Sequence, residues 1–372
     1  LNLLKTPFGH CLIRAAFAYL LFGQFEGVWW AALEIFYRLV LPGRFQQGVS
    51  MQTPRTVLFL DEGHPFLQHR LEELGYRCAL HLTAPREEIL ALLPQVFGIA
   101  MRSRLRIDRA FLEQAEHLKF IARAGVGVEH IDLVAAAERG VEVIISPEGS
   151  RDTVSEHALG MLLMLLNNLG RADRQVRSGQ WVRAGNRGVE IKGKTVGILG
   201  YGNMGSGLAQ RLQGFGCEVI AYDKFKTDYG DAHAKAVDLA TIFAESDILS
   251  LHIPYLPENH HLVNAAFLAQ FQKPLFLVNT SRGMVLNTAA VVAAMQSGRV
   301  LGVALDVYEY EEMSFETLKP LELPEPFQYL RSVDNAVLTP HIAGWSFESN
   351  EGHARVLAGK IEAMFGAGGM IK

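Results

Sequence analysis

The stretch KTVGILGYGNMGSGLAQRL, residues 194–212, narrows the possible folds more than any other part of the chain. An apolar run meets glycines at 200, 202 and 205, and helical periodicity follows as far as Gly216. This spacing suits a strand that turns sharply into a helix. Gly200 permits the tight turn, Gly202 lets another group approach the backbone, and Gly205 lets helix and strand pack closely. Alone, Gly-x-Gly-x-x-Gly is a weak signal and serves equally as a packing turn. Here a second strand, EVIAYD, follows the helix and ends in Asp223, near the offset of about 20 residues that a dinucleotide site requires. The unpaired N–H groups at the helix start, around Asn203 and Met204, are then expected to face the phosphates. A carboxylate at Asp223 accepts both ribose hydroxyls and repels a 2′-phosphate, so NAD is the expected cofactor, although Lys224 beside it works the other way.

The same alternation runs through the chain from residue 55 onward. TVLFL, FGIAM, KFIARAG, VEVII, TVGILG, CEVIAYD, DILSLH, PLFLVN, LGVALDV and AVLTP are continuous apolar runs, as strands buried on both faces of a parallel sheet are. Helical patterns at 131–139, 203–213 and 288–296 lie between them. At 372 residues the chain is too long for one ordinary core, so the expected fold is α/β with two doubly wound lobes. RDTVSEHALGMLLMLLNNLGRADRQVRSG (151–179) reads as one long helix, nearly unbroken in apolar residues over 158–166. Such a helix suits a hinge between lobes or a subunit interface. EYEEMSFETLKPLELPEPFQYLRSVDN, rich in Glu and Pro, reads as a surface loop with a short helical turn.

Bulk properties remove several function classes. A net charge of −4 gives no electrostatic case for nucleic-acid binding. Cys11, Cys78 and Cys217 are few and far apart, with neither metal-ligand spacing nor a disulfide framework, which fits a reducing cytoplasm. Neither apolar run in the first fifty residues reaches the roughly 20 residues of a spanning helix, and a membrane partner is not expected. Residues 1–50 read as an upstream translation or an appended extension outside the folded body, in preference to a membrane-surface helix.

Three segments end strands on the edge where doubly wound sheets bind ligands. LFLVNTSRG carries Arg282, GVALDVYEYEE carries Asp306, Glu309, Glu311 and Glu312, and AVLTPHIAGWS carries His341. Singly, each has an ordinary explanation as an ion pair, a loop face or a packed histidine. Beside a dinucleotide turn they make a set of parts for hydride transfer at a carbonyl.

With these residues in view, the sequence resembles the D-2-hydroxyacid dehydrogenase family. The resemblance rests on GVGVEHIDL, VSEHALGMLL, GKTVGILGYGNMG, LHIPYLPENHHLVN, VNTSRG, ALDVYEYEE and LTPHIAG, in the family's order, over residues 55–365. It implies a Rossmann NAD-binding domain (151–340) inserted in a flavodoxin-like substrate domain (51–150, with a return over 341–372). It further implies that Arg282 holds the substrate's carboxylate and carbonyl oxygen, that His341 is the general acid–base, and that Glu311 orients His341 and raises its pKa. Thr280, Ser281 and Asp306 are expected at the nicotinamide end, and Ala343 and Gly344 among the cofactor contacts. Backbone N–H groups of Gly125, Val126 and Gly127 are expected to meet the substrate carboxylate. No metal site is implied.

MRSRL, residues 101–105, resembles the phosphoglycerate dehydrogenase branch, in a short form without a regulatory domain. Arg102 and Ser103, with Arg104, are thereby expected to hold a phosphate, and 3-phosphoglycerate, the precursor of serine, is the expected substrate. Alternatives are a reductase of glyoxylate, hydroxypyruvate or another 2-oxo acid, and an NAD-sensing corepressor-like binding protein. The resemblance also implies a homodimer formed through the NAD lobe. Departures from the family pattern are Glu312 where a Pro is usual, Ala343 in place of a Gly, a bulky Trp345, and a long loop over 312–334.

Overall fold

Two parallel sheets organise the chain in a computed structural model, which describes residues 55–311 and 323–366. The extension expected at 1–50 and Glu312 lie outside the described residues. The first sheet comprises β1 (Thr56–Phe59), β2 (Arg77–Leu80), β3 (Val96–Met101), β4 (Phe120–Arg123) and β5 (Glu142–Ile145), in the order β2-β1-β3-β4-β5. That is the flavodoxin-like order. The second comprises β6 (Thr195–Leu199), β7 (Glu218–Tyr222), β8 (Lys235–Ala236), β9 (Ile248–Leu251), β10 (Leu275–Asn279), β11 (Val300–Leu305) and β12 (Ala336–Leu338). Its order, β12-β11-β10-β9-β6-β7-β8, is that of a dinucleotide-binding sheet with one further strand on the β12 side.

Burial explains why the strands read as unbroken apolar runs. Val196, Ile198, Leu249, Leu277 and Val303 are all fully or almost fully buried, with helices on both faces. The two strands without a sequence signal are edge strands. Arg77 and Leu80 in β2 are exposed, as is all of β8, so neither carries an apolar pattern.

The expected single helix over 151–179 is two. Arg151–Leu166 and Leu169–Arg177 are separated at Asn167–Asn168, where Asn168 takes a left-handed conformation (φ 53°). Asparagine tolerates that region better than most residues. Nor is the first helix apolar all round. Val154, Ala158, Met161, Leu162 and Leu165 face the core, whereas Asp152, Glu156, Gly160 and Met164, four residues apart, form an exposed stripe.

The chain closes with the helix Phe347–Phe365, started by a capping box in which Ser346 and Ser349 exchange side-chain–backbone bonds. Its Leu357 and Ile361 join Val57, Phe59 and Ala122 in the core of the first sheet, and the Phe365 ring lies 5.3 Å from that of Phe120. Among the described residues no helix is long and apolar enough to cross a membrane.

Candidate active site

The glycine turn has the expected construction. Gly200 sits at φ +93°, and a Cβ on Gly205 would lie 2.2 Å from the Gly200 carbonyl oxygen, so the strand–helix approach requires glycine there. Gly202 has nothing within 4 Å of its Cβ position and faces open space. The helix Asn203–Arg211 starts with no side-chain cap, leaving its first N–H groups, including those of Asn203 and Met204, without the usual acceptor. An open glycine before uncapped N–H groups fits a pyrophosphate. Thr280 supplies a second sign of fit: its hydroxyl oxygen is buried without a hydrogen-bond partner. Ser281 is turned away, its hydroxyl donating to Asn279.

Asp223 lies against the glycine turn. One carboxylate oxygen accepts from the Tyr201 N–H at 2.9 Å and the other from the N–H groups of Phe225 and Lys226. The nearby cations are engaged elsewhere, Lys224 with Glu258 at 2.7 Å and Lys226 with the Tyr201 carbonyl at 2.7 Å. The carboxylate is therefore fixed beside the glycine turn, while both lysines bind other groups.

Register brings the strand-end residues together. Asn279 pairs with Leu305, and Leu305 with Leu338, so β10, β11 and β12 end side by side. Arg282, Glu311 and His341 follow within a few residues. A Cβ on Gly283 would overlap the backbone of Tyr308, which shows how closely the first two loops pack. His341 Nδ1 lies 2.7 Å from Glu311 Oε2, and both side chains are largely buried. The other oxygen of Glu311 accepts from the Tyr308 N–H. Glu309, two residues before Glu311, pairs instead with His261 at 2.7 Å.

Asp306 departs from expectation. Rather than lining an open nicotinamide face, it is fully buried beneath the His341 loop. Its carboxylate accepts from Thr339 Oγ1 and from the N–H groups of Ile342 and Ala343, and its carbonyl accepts from the His341 N–H at 2.8 Å. Ala343 is buried too, so its N–H serves the protein, and the Gly344 carbonyl accepts from Ser349 Oγ. His341 has φ +55°, a conformation costing about 1–2 kcal/mol for a residue with a Cβ. The bonds to Asp306 hold it there.

Loops from the first sheet meet these strand ends. Arg282 Nε donates to Glu129 Oε1 at 2.5 Å, and a Cβ on Gly127 would lie 2.2 Å from the Arg282 guanidinium. The Gly125-Val126-Gly127 turn thus sits against Arg282. Gly125 itself is not available to substrate, because its N–H donates to Ser146 Oγ at 3.0 Å and its carbonyl accepts from the Ser146 N–H. The Arg102 guanidinium stacks on the Trp345 ring at 4.0 Å, joining the loop after β3, which also holds Ser103, to the loop after His341. Arg104 is neither solvated nor in the cleft. Its guanidinium donates to the carbonyls of Leu60, His81 and Ala84 and staples the first lobe internally.

Two residues of this cluster went unmarked in the sequence. Glu129 lies within GVGVEHIDL, but that motif assigned it no role. Burial pushes its carboxyl upward, but attraction and hydrogen bonding to Arg282 outweigh that, and the net shift is downward. Arg123, at the end of β4, has a buried Nε without a partner. Burial, and then repulsion by Arg282, lowers its pKa to about 10. A charged residue closing an otherwise apolar strand was the available signal.

The chain is similar to several known proteins. The family model described as D-isomer specific 2-hydroxyacid dehydrogenase, NAD binding domain, matches residues 159–343. A hydroxypyruvate reductase of Thermotoga maritima is 34% identical over 71% of this chain and 83% of its own length. A D-3-phosphoglycerate dehydrogenase of Archaeoglobus fulgidus is 34% identical over 75% of this chain, which spans only 51% of that relative. The crystal structure of a D-lactate dehydrogenase from Aquifex aeolicus, complexed with NAD and lactic acid, aligns with a TM-score of 0.71 at 27% identity, covering 83% of this chain and 95% of that one.

Proposed function

The chain belongs to the D-isomer specific 2-hydroxyacid dehydrogenase family, and from that premise we propose that Arg282, Glu311 and His341 carry its chemistry, with 3-phosphoglycerate and 3-phosphohydroxypyruvate as the preferred pair. The observation that carries the reading is the His341–Glu311 bond at the end of a strand adjoining the one that supplies Arg282. Bound NADH supplies the hydride for C2 of the oxo acid. Residues of the glycine turn, Asp223 and Thr280 hold the cofactor.

The remaining work falls to side chains of this chain. A carboxylate only accepts, so Nδ1 of His341 carries the hydrogen of their bond. Nε2 is then the atom that gives a proton to the keto oxygen and takes it back in the oxidation direction. The Arg282 fork holds the carboxylate and polarises the carbonyl. Its Nε donates to Glu129 and its Nη1 to the Ser281 carbonyl, which leaves Nη2 and the second Nη1 hydrogen for that task. The N–H groups of Val126 and Gly127 add neutral donors to the same carboxylate.

The preference for a phosphorylated substrate rests on Arg102 and Arg123. With Arg104 committed to backbone carbonyls, these two are the cations near the tail of a three-carbon acid. A guanidinium stacked on an indole keeps its charge, which attracts an anion. The competing reading, a glyoxylate or hydroxypyruvate reductase, is favoured by the bulk of Trp345, which narrows that end. The test is the kcat/KM of wild type and Arg102→Ala with 3-phosphohydroxypyruvate, hydroxypyruvate and glyoxylate. A loss of tenfold or more with the phosphorylated substrate alone supports the first reading. Equal effects on all three replace it with the second.

The assembly we read as a homodimer. Leu169, Val176, Trp181 and Val182 are exposed, Trp181 at 80%, around a helix with no buried residue. The compartment we read as cytoplasmic, since Cys78 and Cys217 are free thiols that burial shifts upward, Cys78 to about 12.

A further inference from the structure

The chain passes between the two sheets twice, outward after β5 and back before the final helix, and the two passages are locked together. Thr153 Oγ1 meets Ser346 Oγ at 2.8 Å. A Cβ on Gly149 would lie 2.5 Å from the His353 nitrogen, and one on Gly352 would lie 2.6 Å from the Gly149 carbonyl oxygen, so the backbones touch. Lys360 Nζ donates to the Ile145 carbonyl at 2.9 Å. At the head of this contact stands Ser146, fully buried, with His353 Nδ1 2.8 Å from its Oγ and 2.9 Å from its carbonyl oxygen.

The hydrogen-bond accounting around Ser146 has one solution. A carbonyl oxygen only accepts, so His353 Nδ1 carries the hydrogen and donates to the Ser146 carbonyl and hydroxyl oxygens. Ser146 Oγ also accepts from the Gly125 N–H, and its own hydrogen goes to the Arg123 carbonyl at 3.4 Å. Meanwhile the Ser146 N–H donates to the Gly125 carbonyl at 2.9 Å. Both polar groups of Gly125 are thus held by one residue. A trans peptide sets its C=O and the following N–H antiparallel. With the Gly125 carbonyl fixed toward Ser146, the Val126 N–H must point the opposite way, from the turn that lies against Arg282.

We propose that His353 and Ser146 are positioning residues for substrate, which aim the Val126–Gly127 N–H groups at the substrate carboxylate by fixing the Gly125 peptide. The inference rests on the functional reading above, which makes that turn the carboxylate's seat, and it adds two residues from distant parts of the sequence. Donors that hold the carboxylate equally in ground and transition states affect KM more than kcat. His353→Leu keeps volume but has no donor. His353→Asn can return a donor near the Nδ1 position. Ser146→Ala removes the acceptor for the Gly125 N–H.

The experiment is steady-state kinetics on the full chain with 3-phosphohydroxypyruvate and hydroxypyruvate, together with NADH binding by fluorescence. His353→Leu and Ser146→Ala are each expected to raise the oxo-acid KM about tenfold, with kcat within threefold and NADH affinity within twofold of wild type. Their effects should not add in the double variant, and His353→Asn should recover most of the loss. An unchanged oxo-acid KM in both single variants, or an equal weakening of oxo acid and NADH, overturns the inference while leaving the functional reading in place. If His353→Leu does not fold, Ser146→Ala and His353→Asn decide by the same criterion. A wild type that reduces no 2-oxo acid overturns the functional reading and this inference with it.

Discussion

Arg282 Nε donates to Glu129 Oε1 at 2.5 Å, and in doing so ties a strand end of the seven-stranded sheet to a loop of the five-stranded one. The bond fixes the guanidinium plane before any substrate arrives. Glu129→Gln should therefore raise the oxo-acid KM about fivefold to twentyfold and leave the NADH KM within twofold, as initial-rate kinetics would show. An unaltered oxo-acid KM would remove Glu129 from the site.

Asp223 is held at the glycine turn by three backbone N–H groups, so its charge is fixed in place. Asp223→Ser should lower the NAD/NADP ratio of kcat/KM at least tenfold, since it removes both the ribose acceptor and the repulsion of a 2′-phosphate. Coenzyme kinetics with both dinucleotides check this, and a constant ratio would assign the discrimination elsewhere.

Stability should fall on mild acidification. Burial lowers His130, His252 and His353 from 6.5 to about 4. Between those values the unfolded chain takes up protons that the folded one does not. The stabilising contribution is thus complete above about pH 6.5 and is lost as pH falls toward 4. At pH 5.5 the loss is on the order of 1 kcal/mol for each group. Urea midpoints measured from pH 7.5 to 5.5 should fall, and less steeply in His252→Asn, where one of the three can no longer protonate. Parallel curves for the two proteins would contradict the assignment for His252.

The exposed apolar group around Leu169–Arg177 gives a test of assembly. Trp181→Glu together with Val182→Lys should shift the sedimentation coefficient from dimer to monomer at micromolar concentration. A monomeric wild type, or a dimer indifferent to both changes, would place the interface on another surface.

Much of this architecture is legible in the sequence because buried parallel strands are apolar on both faces. Ten of the strands are visible as apolar runs, whereas Arg77 and Leu80 of β2 and both residues of β8 are exposed and show no pattern. The glycine turn is legible because its backbone geometry admits few residues. The two-helix break at Asn168 is not, since a left-handed asparagine leaves no periodic trace. At the site, Arg282, Glu311 and His341 are visible through their positions after strands. Glu129, Arg123, Ser146 and His353 owe their places to contacts between distant segments, which local patterns do not encode. Asp306 and Arg104 show the converse, for a charged residue beside an active site can be committed wholly to holding backbone.

The central claim is that His341 moves the proton that accompanies hydride transfer, and the most direct measurement is kcat for His341→Gln against wild type. The assay is NADH oxidation with 3-phosphohydroxypyruvate or hydroxypyruvate, with NADH affinity measured in parallel. The expected result is a fall in kcat of about 10²–10⁴ with NADH affinity within twofold, the span usual for loss of a general acid–base group. A variant that turns over at the wild-type rate would contradict the account.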